Sequence, residues 1–175
     1  MKKLITLLIT ACLGLSAMAQ SEFRDRHMAY KGFANIGLSS TFYDGDNSTA
    51  FSFTTSHGLQ VNPYIFVGAG LGLNLSNPDG AAAYAPLFGQ ARINFINRPI
   101  SPYFDFKGGG CVGDFTGGYI EPSIGVSMPV ANRFAINFEF TYTLLTQKDT
   151  EDWWGVSYSH RDCYHNIGFQ FGFEF

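Results

Sequence analysis

Asn166-Ile167-Gly168-Phe169-Gln170-Phe171-Gly172-Phe173-Glu174-Phe175 is the stretch whose reading decides the fold. Every odd position is apolar, and every even position is polar or Gly. A period of two belongs to a β-strand with one apolar face, because successive side chains leave opposite sides of the pleat. A soluble protein buries such a face in its core.

Working back from this strand, the same alternation divides the chain into eight segments. They are expected near 29–42, 50–61, 64–75, 84–96, 102–113, 118–128, 133–146 and 162–175. Gly, Pro, Asn and Asp punctuate the joints: Tyr43 to Thr49, Asn62-Pro63, Ser76 to Gly80, Asn97 to Ser101, Asp114 to Gly117 and Pro129 to Asn132. A longer loop is expected over 147–161.

One face collects Ile36, Leu38, Val67, Leu71, Leu73, Phe106, Ile124, Phe138 and Phe140. The opposite face collects Lys31, Asn35, Ser52, Thr54, Gln90, Arg92, Asp105, Lys107, Glu121, Asn137 and Glu139. Strands of about 10 residues with apolar side chains outward and charges inward suit a bilayer. An even strand number brings the last strand beside the first, and closure removes edges that lipid would leave unpaired. The expected fold is therefore all-β, an eight-stranded antiparallel up-and-down transmembrane β-barrel. His57 falls on the outward parity, and a bulge near Thr54-Thr55-Ser56 would turn it inward.

The start of the chain, MKKLITLLITACLGLSAMA, sets Lys2 and Lys3 before an apolar run and finishes on Ala17-Met18-Ala19. This pattern reads as a signal peptide over 1–19, cleaved before Gln20, with the barrel domain over 20–175. The alternative is a lipoprotein cleavage box at Ile9-Thr10-Ala11-Cys12. That cut would leave the apolar residues from Leu13 to Met18 on the mature chain.

The composition agrees with a partly lipid-facing surface. Phe (18), Tyr (9) and Gly (20) are abundant, and charged residues make up 14% against a usual ~25%. The mean hydropathy of +0.02 fits a barrel with a polar lumen. A net charge of −3 argues against a nucleic-acid partner. Cys111 and Cys163 fall on nonadjacent strands and opposite faces, so two free thiols are expected.

The alternating, aromatic-closed final segment resembles the C-terminal signal of bacterial outer-membrane barrels. The whole pattern resembles the small outer-membrane β-barrel family that includes OmpX-like and OmpA-transmembrane-domain-like proteins. The resemblance implies an outer-membrane location and a non-enzymatic envelope role. It also implies outer-membrane lipid and the barrel assembly machinery as partners, with Phe171, Phe173 and Phe175 as the assembly signal.

Within the lumen, Lys31, Arg92 and Lys107 face Asp105, Glu121 and Glu139. Hairpin counting places Arg92 near Asp105 and Lys107, with Glu121 diagonal to Glu139. An eight-stranded barrel is just wide enough for side chains to fill it, so these charges must pair. The segment 147–161 carries Trp153, Trp154 and Tyr158 beside three acids, which suits a headgroup anchor or an extracellular partner.

Two other function classes make different demands on the sequence. A deacylase acting on lipid A needs a Ser nucleophile, a His base and an acid, for which Ser159, His160, His165, Glu151 and Asp152 are the candidates. Ser159-His160 does not match the His-x-Ser strand motif that resemblance to such enzymes would require. A soluble periplasmic lipocalin-like binder of apolar ligands would need the reverse facing. His160-x-x-Cys163-x-His165 offers a weak metal constellation, and neither cofactor nor metal is expected.

Overall fold

In a computed structural model the structure describes residues 28–43, 46–77, 82–97, 100–131, 134–153 and 156–175, with side chains at 42–47, 77 and 148–162 outside the description. Eight strands follow one another: β1 (Ala29–Tyr43), β2 (Asp46–Gln60), β3 (Ile65–Asn77), β4 (Ala82–Asn94), β5 (Ser101–Gly113), β6 (Gly117–Ala131), β7 (Phe134–Trp153) and β8 (Val156–Glu174). Each pairs antiparallel with its neighbours in sequence. β1 pairs with β8, from Phe33–Glu174 up to Phe42–His165, and closes the barrel.

The closed ladder is tilted. A row of paired residues starting at Ala135 passes through Glu174, Phe33, Ser56, Gly70, Phe88, Gly109 and Tyr119, and returns to β7 at Leu145. The return lies ten residues above the start. This stagger forces the strands to cross the barrel obliquely and fixes its width. The odd-numbered hairpins gather at one end, called the upper end here, and Ala29 and Phe175 lie at the lower end.

Alternation determines the two surfaces. Ile36, Leu38, Val67, Leu71, Leu73, Phe106, Ile124, Phe138, Phe140, Phe169 and Phe173 are exposed on the outside. Asn35, Thr54, Gln90, Arg92, Asp105, Lys107, Glu121, Asn137 and Glu139 are buried inside. The facing that a lipocalin-like binder needs is therefore reversed. Inward glycines make room for inward rings: a Cβ at Gly125 would stand 2.6 Å from Tyr103, and one at Gly70 would stand 2.7 Å from Phe88.

Pro86 and Pro122 each sit in mid-strand in this closed sheet. The β3–β4 ladder lapses between Leu71–Leu87 and Asn74–Tyr84, the interval that contains Pro86. The β6–β7 ladder lapses between Ile120–Leu144 and Ser123–Thr141, the interval that contains Pro122. Proline has no N–H to give, so each removes a rung on one side while pairing persists on the other. A register shift between Pro129 and Ala131 marks an irregularity at the lower end of β6.

The structure corrects two expectations. Residues 147–153 and 156–161 do not form a loop, because β7 and β8 continue as a paired ribbon up to Trp153–Val156. β7 has 20 residues, while crossing a membrane takes about 10. Above that crossing neither face has to be apolar, so the period of two that betrays a strand is lost. The second correction concerns His57. Pairing through β1, β2 and β3 has no register shift there, so no bulge turns it inward.

Candidate functional site: the charged lumen

The lumen is built from residues that alternation turns inward, and its centre is Arg92 on β4. Its Nε donates to Asp105 Oδ2 at 2.7 Å, and its Nη2 donates to Glu139 Oε1 at 2.8 Å. Nη1 lies 3.8 Å from Glu174. The guanidinium is also held between two rings, 4.0 Å from the Phe33 centroid and 3.9 Å from that of Tyr103. Arg92 thus spans from β4 to β1, β5, β7 and β8. A planar cation with a donor fork suits such a crossbeam, since it stacks on aromatic faces while its edges bind carboxylates.

Lys107 organises a second layer above it. Its Nζ donates to Glu121 Oε1 at 2.7 Å and to Gln170 Oε1 at 3.3 Å, and lies 3.6 Å from Glu139. Glu121 also accepts from Tyr119 at 2.7 Å and from Thr143 at 2.9 Å. Arg92, Asp105, Lys107, Glu121 and Glu139 are all less than 5% exposed. Charges buried this deeply persist only when paired and hydrogen-bonded, which the network provides.

The pairings refine the expected ones. Arg92 does lie opposite Asp105, but Lys107 lies opposite Gln90 and Glu121. Glu139 lies opposite Gly125, four residues below Glu121. The two glutamates are therefore joined through Lys107 and not by a diagonal contact. Lys31 is drawn to the lower rim, where it pairs with Glu174 at 2.5 Å.

Several residues that complete the site escaped the sequence reading. Glu174 bonds Lys31 and accepts from Ser127 at 3.3 Å. Phe33, Phe66, Phe88, Tyr103 and Tyr119 are inward and buried. Parity would have found them: Phe33 lies between Lys31 and Asn35 on one face, and Tyr103 shares a face with Asp105 and Lys107. A ring of the same parity as the charges carries no polarity to mark it as inward.

The upper lumen differs in kind from the lower. Tyr84, Phe88, Cys111, Tyr119 and Leu145 pack together there, with Phe115 and Tyr164 against them. The expected polar plug thus occupies the lower and middle lumen, with a largely aromatic plug above it.

On the outside, a Tyr–His pair stands near each end of the apolar belt. Tyr30 Oη meets His57 Nδ1 at 2.5 Å at the lower end, and Tyr142 Oη meets His165 Nδ1 at 2.6 Å at the upper end. The Phe175 ring packs edge-on to His57 at 6.0 Å, and its backbone exchanges two hydrogen bonds with Gly32. Phe171 packs edge-on against Phe138 and Phe173, with 5.1 Å between centroids in each pair.

Of the other candidates, Cys111 is buried and Cys163 exposed, and both are free thiols. Cys163 and His165 are both exposed on β8, and the described residues contain no group of three metal-type ligands. The side chains of Ser159, His160, Glu151, Asp152, Trp153, Trp154 and Tyr158 lie outside the described residues.

No family model and no curated protein matches the chain. Solved structures do. Neisserial surface protein A (NspA) aligns with a TM-score of 0.65 at 13% identity, covering 85% of this chain and 98% of that one. The outer membrane protein AlkL, solved in DMPC lipid bilayers, aligns with a TM-score of 0.51 at 11% identity, covering 90% of this chain and 93% of that one. At such identities the likeness is one of fold: an eight-stranded antiparallel closed barrel shared with bacterial outer-membrane proteins.

Proposed function

We propose that this chain is a membrane-embedded barrel of the bacterial outer membrane, with a sealed lumen and a structural or surface-interaction role in the envelope. One observation carries the reading. The barrel is inside-out relative to a soluble one, with Arg92, Lys107, Asp105, Glu121 and Glu139 buried within while Leu38, Leu71, Ile124 and Phe169 stand exposed outside. An apolar belt around a closed ladder has little use in water and is what hydrocarbon requires.

In this reading residues 1–19 direct export, and the Phe-rich β8 is read by the assembly machinery, as in the OmpX-like barrels the sequence resembles. The β7–β8 ribbon projects on the outer side and is the surface offered to an extracellular partner. Catalysis has no part in it: the central charges Arg92, Lys107, Asp105, Glu121 and Glu139 are paired with one another.

Fractionation tests the proposal. The mature protein is expected to sediment with outer membrane after carbonate washing and to show a heat-shifted gel band. A soluble periplasmic pool would overturn it. Acyl release from lipid A by the refolded protein would replace the structural role with an enzymatic one.

A further inference from the structure

We infer that the upper mouth of the barrel binds a neutral sugar ring, stacked on Phe115 and Tyr164 and hydrogen-bonded by Ser39, Thr41 and Asn166. The inference rests on the barrel geometry, independently of the membrane reading. The stagger of the ladder brings the parts of this mouth together. A row of pairings climbs from Ala135 to Leu145 in one circuit, so a walk at constant height drops about one residue per strand below the row. That walk sets Thr41 on β1, Ser48 on β2, Ser76 on β3 and Tyr164 on β8 at one level, with Ser39 and Asn166 beneath them. Phe115, between β5 and β6, packs edge-on against Tyr84 with centroids 5.6 Å apart and against Tyr164 at 5.0 Å.

The mouth is therefore two-sided: rings occupy the arc from β4 round to β8, and small hydroxyl side chains occupy the arc from β1 to β3. Ser39, Thr41, Ser48 and Ser76 take inward positions yet are partly exposed, as are Phe115 and Tyr164. Ala50, Tyr84, Leu145 and Asn166 are buried and floor the space. Water thus enters a closed-bottomed cup. Its hydrogen-bonding groups are not used up by one another. Among the described residues nothing engages the Ser39 or Thr41 hydroxyl, and Asn166, which stands opposite Thr41 on the ladder, has its amide oxygen buried with no donor. Ser48 and Ser76 meet at 3.4 Å. No charged side chain among the described residues points into the cup; Asp114, at its rim, is held by the Ala83 N–H at 2.7 Å.

A sugar ring has one C–H face and an edge of hydroxyls that donate and accept. The C–H face matches the electron-rich face of an aromatic ring, and the hydroxyl edge matches Ser, Thr and an amide. Apolar walls with a few convergent polar groups at a barrel mouth are where small ligands bind. An alkyl chain would cover the rings but leave the hydroxyls and Asn166 unsatisfied. A phosphate or a sugar acid would bring a charge that the described walls do not answer.

The test uses the mature barrel refolded in lauryldimethylamine oxide, a detergent without a sugar headgroup. The probes are the methyl glycosides of glucose, galactose, mannose and N-acetylglucosamine, and trisaccharides of the same sugars. At least one is expected to receive saturation transfer at its C–H protons from the protein's aromatic protons and to raise the unfolding midpoint saturably. Tyr164→Ala, and separately Ser39→Ala with Thr41→Val, should each weaken that binding roughly tenfold, about 1.4 kcal/mol, while keeping the heat-shifted band. Phe115→Leu serves if Tyr164→Ala fails to fold. A trisaccharide that binds more tightly than its methyl glycoside identifies the end of a glycan as the occupant, and equal affinity identifies a free sugar. Absence of transfer to every sugar would overturn the site. So would binding that survives both variants, equal binding of glucuronate, or a midpoint raised by decanol and by no sugar. None of these outcomes bears on the membrane location, which fractionation decides.

Discussion

Lys107 illustrates how a single side chain is committed in this lumen. It answers Glu121 at 2.7 Å, Glu139 at 3.6 Å and the Gln170 amide, and it is almost wholly buried. Lys107→Ala strands Glu121 and is expected to cost on the order of 3 kcal/mol in detergent unfolding. Pairing it with Glu121→Leu should recover part of that loss, because the bare carboxylate goes with its partner. If the double variant is as unstable as the two single losses added together, the charges do not act as a pair. Gln170 shows where face assignment alone misleads. Parity marks it merely as a lumen residue, for which Asn would be a mild replacement. Its amide nevertheless touches both Lys107 and Glu121, at 3.3 and 3.2 Å. Gln170→Asn, one methylene shorter, is expected to lower stability by about 1 kcal/mol while leaving assembly in place.

Elements were legible in the sequence to the extent that lipid imposed a pattern on them. Seven strands were expected to begin within about two residues of where they do, or to differ by modest extensions at the upper end, because each had to keep one apolar face. The ribbon of β7 and β8 beyond Gln147 was not legible, since water accepts any side chain on either face. The lumen charges were legible from parity, but their partners depended on register, which hairpin counting leaves open by two residues. Two predictions belong to elements. Replacing 149–160 with a two-residue turn should leave the heat-shifted band and unfolding midpoint unchanged while removing any binding that the ribbon provides. Phe171→Asp with Phe173→Asp should reduce outer-membrane assembly and destabilise the barrel by on the order of 2 kcal/mol per charge. Normal assembly of this pair would mean that β8 does not face hydrocarbon.

For the molecule as a whole, the proposed sealed lumen has two stacked plugs: the charged network of Arg92 and Lys107 below, and the cluster of Tyr84, Phe88, Tyr119 and Leu145 above. In planar bilayers the refolded protein is expected to be electrically silent. Opening one layer alone, with Arg92→Ala and Asp105→Ala or with Tyr119→Ala and Phe88→Ala, should leave it silent. Opening both should give measurable conductance, and steady current through the unaltered barrel would disprove the sealed lumen. The stagger carried from Ala135 to Leu145 has a consequence for how such a chain can change over time. A circuit of pairings must return on itself, so no seam can slip by two residues without altering the width of the whole ring and the heights at which Arg92 and Lys107 meet their partners. Insertions and deletions within the ring are therefore errors shared by eight strands. Above Gln147 the ribbon belongs to no circuit, and it can lengthen or shorten by matched pairs of residues without disturbing the ring. Length variation among descendants of this sequence should accumulate there, while the spacing within the ring holds constant.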